Sequence, residues 1–197
     1  MLPLRLPSTP QARAPAIAAA LSAIKLQDPA FDVVSLMRRL PTRFLELRGA
    51  LNRDDLTQLR EYTSEALFQR WQRDPDDRRS VLEGPPDLGV QEVRLVWAEN
   101  HAGEDRVTLG IDCLATSDDH ESLQTLTQYW SLVRDHRARS PQLTGPDQCP
   151  HCGAPADRGL DHCRYCDLPL PGPLQGWRLD RVYREVDWYE GPPGSTV

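Results

Sequence analysis

The strongest chemical signal in the sequence is a doubled cysteine motif. Cys149-Pro-His-Cys152 and Cys163-Arg-Tyr-Cys166 are CxxC pairs with ten residues between them. Thiolates are soft ligands, and four of them at the corners of a tetrahedron suit Zn2+. The tight turn inside each pair brings its two sulfurs onto one ion, and backbone N–H groups of the turn support their charge. Gly153 follows the first pair, where a left-handed residue is often required, and Asp167 holds the matching place after the second. The gap is a little shorter than in most zinc ribbons, yet it leaves room for a small hairpin. Cys149, Cys152, Cys163 and Cys166 are therefore expected to hold one structural Zn2+.

Four protein ligands close such a site and leave no position for water or substrate, so the metal argues for local folding and not for metal catalysis. Its binding is worth roughly 10–16 kcal/mol in apparent terms, enough to order a segment with almost no apolar core. Two rivals stay open. Paired disulfides need an oxidising compartment, and no secretory signal points to one. A redox CxxC normally stands alone at the start of a helix, whereas this one is doubled among prolines. His151 and His162 are expected to be solvated beside the ligands, and Cys113 to be a small core residue.

The elements that carry these cysteines read as helices first and strands afterwards. Asp28-Pro29 is a good helix start. Val33, Met37, Leu40, Phe44, Leu47 and Leu51 then recur at spacings of four and three, one apolar helical stripe interrupted by Pro41, where a kink or break is expected. Asn52 is expected to cap a second helix with Leu56 and Leu59 inward. Thr63 or Ser64 should cap a third, which carries Leu67, Phe68 and Trp71 and ends near Asp74. From Leu88 the period becomes two. Val93, Leu95 and Trp97 form one strand face, a polar loop with Gly103 follows, and Val107, Leu109, Ile111 and Cys113 form the facing strand. A third strand runs over 123–134, with Leu126, Trp130 and Leu132 on one face and Tyr129 and Val133 on the other. A fourth covers 177–183. This order predicts an α+β fold with helices on one face of a curved antiparallel sheet.

The chain has 197 residues, 39% of them apolar and 26% charged, which suits a globular domain and excludes a multi-span membrane protein, collagen or a wholly disordered chain. The net charge of −6 argues against non-specific nucleic-acid binding. Lys25 is the only lysine. The scattered arginines fit biased codon usage better than a built anion-binding face. Residues 1–27 hold Arg5, Arg13 and Lys25 and no acid. Within them Ala16–Leu26 is too short to span a bilayer. An organelle leader, a surface-binding helix and an arm that ends in a helical turn packed on the domain all remain open.

A family resemblance rests on several of these segments. They are Phe31 through Leu51, Asp55-Leu56, Leu59-Arg60, Thr63-Ser64-Glu65 and the strand Gln128-Tyr129-Trp130-Ser131-Leu132-Val133-Arg134. This stretch resembles the C-terminal domain of subunit 44 of the mitochondrial inner-membrane translocase and its bacterial relatives. Some of those relatives carry a CPxCGAP-type zinc ribbon before a last strand beginning with Trp. Here the segment reads Cys149-Pro150-His151-Cys152-Gly153-Ala154-Pro155, then Trp177.

The resemblance implies a nuclear-transport-factor-two-like cone over residues 28–190, three helices in the concavity of a bent sheet, with a zinc ribbon inserted at 147–170. Residues 1–27 become a flexible arm or short amphipathic helix, and 191–197 a disordered tail. The implied role is a non-catalytic, membrane-proximal module binding a protein partner or an anionic lipid surface. Its implied place is the cytoplasm, peripheral to the inner membrane, with an organelle matrix as the alternative. An exposed sheet face leaves a homodimer open.

An enzyme is the first alternative, because the same fold hosts isomerases and dehydratases. Its candidate residues are Asp112, His101 and Tyr129, although the sequence has no nucleophile elbow, phosphate loop or HExxH motif. Nucleic-acid binding through the ribbon is the second, and it is disfavoured. Arg158 and Arg164 are offset by Asp157 and Asp161, and Tyr165 is the lone aromatic there.

Overall fold

A computed structural model describes residues 10–80, 88–101, 103–116, 123–140, 148–149, 152–155, 163–167, 174 and 176–184. Five helices precede four strands in it: α1 (Pro10–Gln27), α2 (Val33–Asn52), α3 (Leu56–Tyr62), α4 (Glu65–Arg73) and α5 (Pro75–Ser80), then β1 (Gly89–His101), β2 (Glu104–Thr116), β3 (Leu123–Asp135) and β4 (Arg178–Arg184). The strands form one antiparallel sheet in the order β1-β2-β3-β4. The expected α+β architecture is thus the observed one.

Side-chain caps set the helix starts. Asp32 accepts from the backbone N–H groups of Val34 and Ser35 at 3.1 and 3.2 Å and opens α2. Asp55 caps α3 through Gln58, and Ser64 caps α4 through Leu67, both at 3.1 Å. Two of these starts differ from the sequence reading. The helix expected from Asp28 begins at Val33, and Asn52 is the last residue of α2 rather than the cap of the next helix. Asp28 does not cap because its carboxylate is used elsewhere, in a contact 106 residues away in sequence.

Pro41 also behaves differently from the expectation. It lies inside α2, which runs unbroken across it. An interior proline costs about 3 kcal/mol. Leu36 and Leu40 before it and Phe44 and Leu47 after it are all buried in the same core, so packing holds both halves in line. Within residues 1–27, the described part is a five-turn helix instead of an arm with one helical turn. α1 rests on β1 and buries Ile24 completely, with Ile17, Ala20 and Leu21 packed beside it.

The core lies between the helices and one sheet face. Val107, Leu109, Ile111 and Cys113 of β2 are fully buried there, opposite Leu132, Trp130 and Leu126 of β3. The Phe44 and Trp130 rings meet at 5.0 Å between centroids, and Trp71 fills the space beside the same cluster. One strand face was misread. A register shift between Leu95 and Trp97 turns Trp97 away from the core, and Ala98 takes the inward place. Trp97 packs instead with Tyr183, Val96 and Tyr129 on the other face.

A buried charge cluster joins the ends of these elements. The Arg134 guanidinium donates to Asp28 Oδ2 at 2.7 Å and to Asp105 Oδ2 at 3.0 Å, and all three side chains are 1% exposed. It lies 4.8 Å from the Trp177 ring and 5.1 Å from that of Phe31, and it donates to Ser140 Oγ at 3.3 Å. Asp28 also accepts from the Ser140 hydroxyl at 2.6 Å and from its backbone N–H at 3.0 Å. Burial alone would push the Asp28 carboxyl up. The hydrogen bonds from Ser140 and Arg134 outweigh it and hold the pKa below the ordinary aspartate value.

Two predictions follow from that cluster. Arg134→Met leaves two carboxylates buried without their cation and should lower stability by about 3–5 kcal/mol, read as a fall in the urea midpoint. Because Asp28 has a depressed pKa in the folded state, its contribution is present above about pH 4 and fades as pH falls through the folded value. Urea midpoints measured from pH 6 down to 3 should therefore drop less steeply in Asp28→Asn than in the parent. Equal slopes would refute this role for Asp28.

Candidate metal centre

The four cysteines lie in the connection from β3 to β4, on two short turns built alike. Gly153 N–H donates to the Cys149 carbonyl at 2.9 Å, and Asp167 N–H donates to the Cys163 carbonyl at 2.8 Å. Each turn then needs a left-handed residue just after its second cysteine. Gly153 supplies one with φ 72° and Asp167 the other with φ 56°, as the sequence reading anticipated. Cys149 N–H donates to the Ala154 carbonyl at 2.8 Å, and Gln148 bridges to Pro155, which closes a narrow loop around the first pair.

These turns converge the sulfurs. Cys149 Sγ is 3.8 Å from Cys166 Sγ, Cys152 Sγ is 3.7 Å from Cys163 Sγ, and all four lie within 4.8 Å of one another. Zn–S bonds of about 2.3 Å in a tetrahedron put neighbouring sulfurs about 3.8 Å apart. A disulfide would bring a pair to about 2.05 Å. The spacing fits four ligands of a single metal ion and is far too wide for an S–S bond, so the disulfide rival is set aside.

The electrostatics of the site agree with that geometry. Tyr165 N–H approaches Cys163 Sγ at 3.4 Å. This donor, with that of Cys166, holds the Cys163 thiol down at about 7. A thiol kept near neutrality is readily present as the thiolate that a metal requires. Cys149 and Cys163 are buried, Cys166 is half-buried and Cys152 is exposed. Cys113 is separate, fully buried in the core, with burial pushing its thiol up to about 11 against the opposing charge of Arg48. His151 and His162 lie outside the described residues, as do the hairpin expected between the two turns and the tail of 191–197.

Both stems of the cysteine segment are tied to the domain by the same guanidinium. Arg134 donates to Ser140 before the segment and stacks on Trp177 after it. Trp177 is the residue before β4, so the strand begins one place later than the start at 177 read from the sequence. Sequence reasoning missed this anchor, because an arginine in an alternating strand carries no mark of burial.

The residues considered for catalysis are not assembled. Asp112 lies on the sheet face away from the helices, where its Oδ1 accepts from Thr127 Oγ1 at 2.7 Å and its Oδ2 pairs with Arg94. Tyr129 is on that face too, with Arg94 5.9 Å from its ring. His101 is exposed at the far end of β1, nine residues beyond the partner of Asp112 and so roughly 30 Å away. Elsewhere, a surface depression of about 580 Å3 between α3, α4 and β4 is lined by Leu56, Arg60, Glu61, Phe68, Gln72 and Arg178.

The paired turns can be tested through their left-handed residues. Gly153→Val forces a β-branched side chain into φ 72° and should cost at least about 1–2 kcal/mol, a loss of tenfold or more in metal affinity. Asp167→Gly relieves the same constraint and should leave affinity unchanged or raise it. Competition titration against a chromophoric chelator measures both, and equal losses in the two variants would contradict the paired-turn geometry.

The Tim44-like domain family model matches residues 17–144. That is well over half of the chain, and it stops just short of Cys149, so the metal centre lies beyond the matched stretch. No curated protein matches the chain. The matched stretch spans the helices and the first three strands of the α+β fold described above, an arrangement consistent with the nuclear-transport-factor-two-like cone, and the chain belongs to the Tim44-like domain family.

Proposed function

We propose that this chain is a non-catalytic interaction module that works close to a membrane, built as a cone over residues 28–190 with a zinc ribbon at 147–170. The observation that carries the reading is the filled interior. Phe44, Trp71 and Trp130 are buried between the helices and the sheet and fill that part of the interior with side chains. Recognition then falls to the outer surface.

Cys149, Cys152, Cys163 and Cys166 are the proposed ligands of one Zn2+, on the strength of their sulfur spacing. When bound, Zn2+ supplies a closed tetrahedral crosslink and no open position. The residues around it do the rest. The Tyr165 N–H supports thiolate charge, and Gly153 and Asp167 permit the turns.

The membrane part of the proposal rests on the family and on the surface of α1. Ile17, Leu21 and Ile24 are already packed inward, so they are not available to lipid while α1 stays in place. The outer side presents Lys25 and Leu26, the latter 84% exposed, on a stretch without acids. Such a cation with an apolar neighbour suits an anionic lipid surface or an acidic protein partner. No helix among the described residues is long and apolar enough to cross a membrane. On the family likeness, the proposed place is the cytoplasm, peripheral to the inner membrane, with an organelle matrix as the alternative.

Elemental analysis of the purified chain should find about one zinc per molecule. Co-sedimentation with cardiolipin-containing vesicles should exceed that with neutral ones and fall when Lys25 and Leu26 are both replaced by Glu. Equal recovery with anionic and neutral vesicles would remove the lipid reading and leave a protein partner, which crosslinking in native membranes identifies.

A further inference from the structure

We infer that Cys152 is a site of oxidative modification, where a peroxide attacks and a disulfide to Cys163 then expels the metal while the α+β domain stays folded. This rests on the four-cysteine metal reading and adds a regulation to it. The starting point is an asymmetry among the ligands. Cys149 and Cys163 are each 2% exposed, whereas Cys152 is open to solvent. An oxidant therefore meets Cys152 first, because solvent access decides which of the four sulfurs a peroxide can reach.

The second thiol is already in place. Cys163 Sγ lies 3.7 Å from Cys152 Sγ, across the two turns. Closing that distance to about 2.05 Å needs only a small shift of two tight loops. In the first step the Cys152 sulfur attacks one peroxide oxygen. An S–O bond forms, the O–O bond breaks, and hydroxide leaves. In the second the Cys163 thiolate attacks the resulting sulfenic sulfur, forming the S–S bond and releasing a second hydroxide. Two protons from solvent convert both hydroxides to water. The two thiolates lose two electrons in all, and the peroxide gains them. A disulfide sulfur is a poor ligand, so the ion is left with Cys149 and Cys166 alone and dissociates.

The domain survives because its own fastening lies outside the cysteine loops. Arg134 holds Ser140 on one stem and Trp177 on the other, and it is itself fixed by Asp28 and Asp105. β4 keeps its pairing with β3 whether or not the loops between them are ordered. Oxidation is thus expected to melt one surface loop and leave the rest intact, which is the form a reversible switch requires.

The test uses the full zinc-loaded chain and hydrogen peroxide. Zinc content before oxidation comes first, and a chain that never carries metal overturns the metal reading and this proposal with it. With metal present, peroxide should release zinc to a colorimetric chelator as a Cys152–Cys163 disulfide appears on peptide mapping. Far-ultraviolet circular dichroism should keep most of its amplitude, and a thiol reductant with added zinc should restore metal content. Cys152→Ser should slow release roughly tenfold or more, whereas Cys113→Ser should not change it. Release with a different disulfide, no release, or loss of the domain's circular dichroism along with the zinc would each overturn the proposal while leaving the metal site standing. A Cys152→Ser chain that carries no metal does not remove the test, because disulfide mapping of the parent decides it.

Discussion

The Arg134 guanidinium, 1% exposed, sits between two carboxylates and two aromatic rings, and the placement of several chain segments follows from it. Asp28 fixes the corner between α1 and α2. Asp105 fixes the start of β2, where Asn100 Nδ2 also donates to it at 2.7 Å. Ser140 and Trp177 fix the two stems of the cysteine segment. A buried cation is costly unless its charge is compensated, and here two buried carboxylates on Nη1 and Nε supply that compensation while Nη2 has no hydrogen-bond partner among the described residues. Each partner therefore has to be where it is, or the cation becomes a large penalty. A second bridge works alike at the other sheet edge. Asp180 accepts from Ser64 Oγ at 2.7 Å and from Arg106 at 2.8 Å, tying the α4 cap to β4. Despite its burial, the bonds to Ser64 and Arg106 hold the Asp180 carboxyl below its ordinary value.

This fastening separates two kinds of order in one chain. The α+β domain is held by apolar burial around Phe44, Trp71 and Trp130 and by the two charged bridges. The described cysteine loops are held by a short bridge, a few backbone hydrogen bonds and N–H contacts to sulfur, with little apolar burial. A segment with so few apolar contacts has little to offset its chain entropy, and four cysteines within 4.8 Å could supply a metal crosslink. The family match ends at residue 144, so it covers most of the helices and the first three strands, and both β4 and the cysteine loops lie beyond it. What the loops add to a Tim44-like domain is a surface element that brings four cysteine sulfurs within 4.8 Å of one another.

Much of the α+β pattern was legible because it repeats. Stripes at three and four, then alternation at two, located α2, α4 and the strands to within a few residues. The misreadings have a common cause. Asp28 looks like a cap until a guanidinium 106 residues away takes its carboxylate. Pro41 looks like a break until the core holds both halves of α2. Trp97 looks inward until one extra residue in β1 reverses the face. α1 is longer than the short helix expected there, and its contact with β1 shows that the face carrying Ile17, Leu21 and Ile24 packs inward.

The sequence alone determined which atoms can bind a metal, since two CxxC turns carry their own geometry in a few consecutive residues, down to the left-handed places at Gly153 and Asp167. It also determined the order of helices and strands, because amphipathic period is a local property. Tertiary structure decided that the two turns face each other with sulfurs 3.7 and 3.8 Å apart, that Cys152 is the exposed one, and that His101 stands far from Asp112 and Tyr129, which share one sheet face with Arg94. The reason is range. Local preferences act over one turn or one strand step, whereas a buried ion cluster or a filled core joins residues a hundred positions apart, and only the folded chain brings them together.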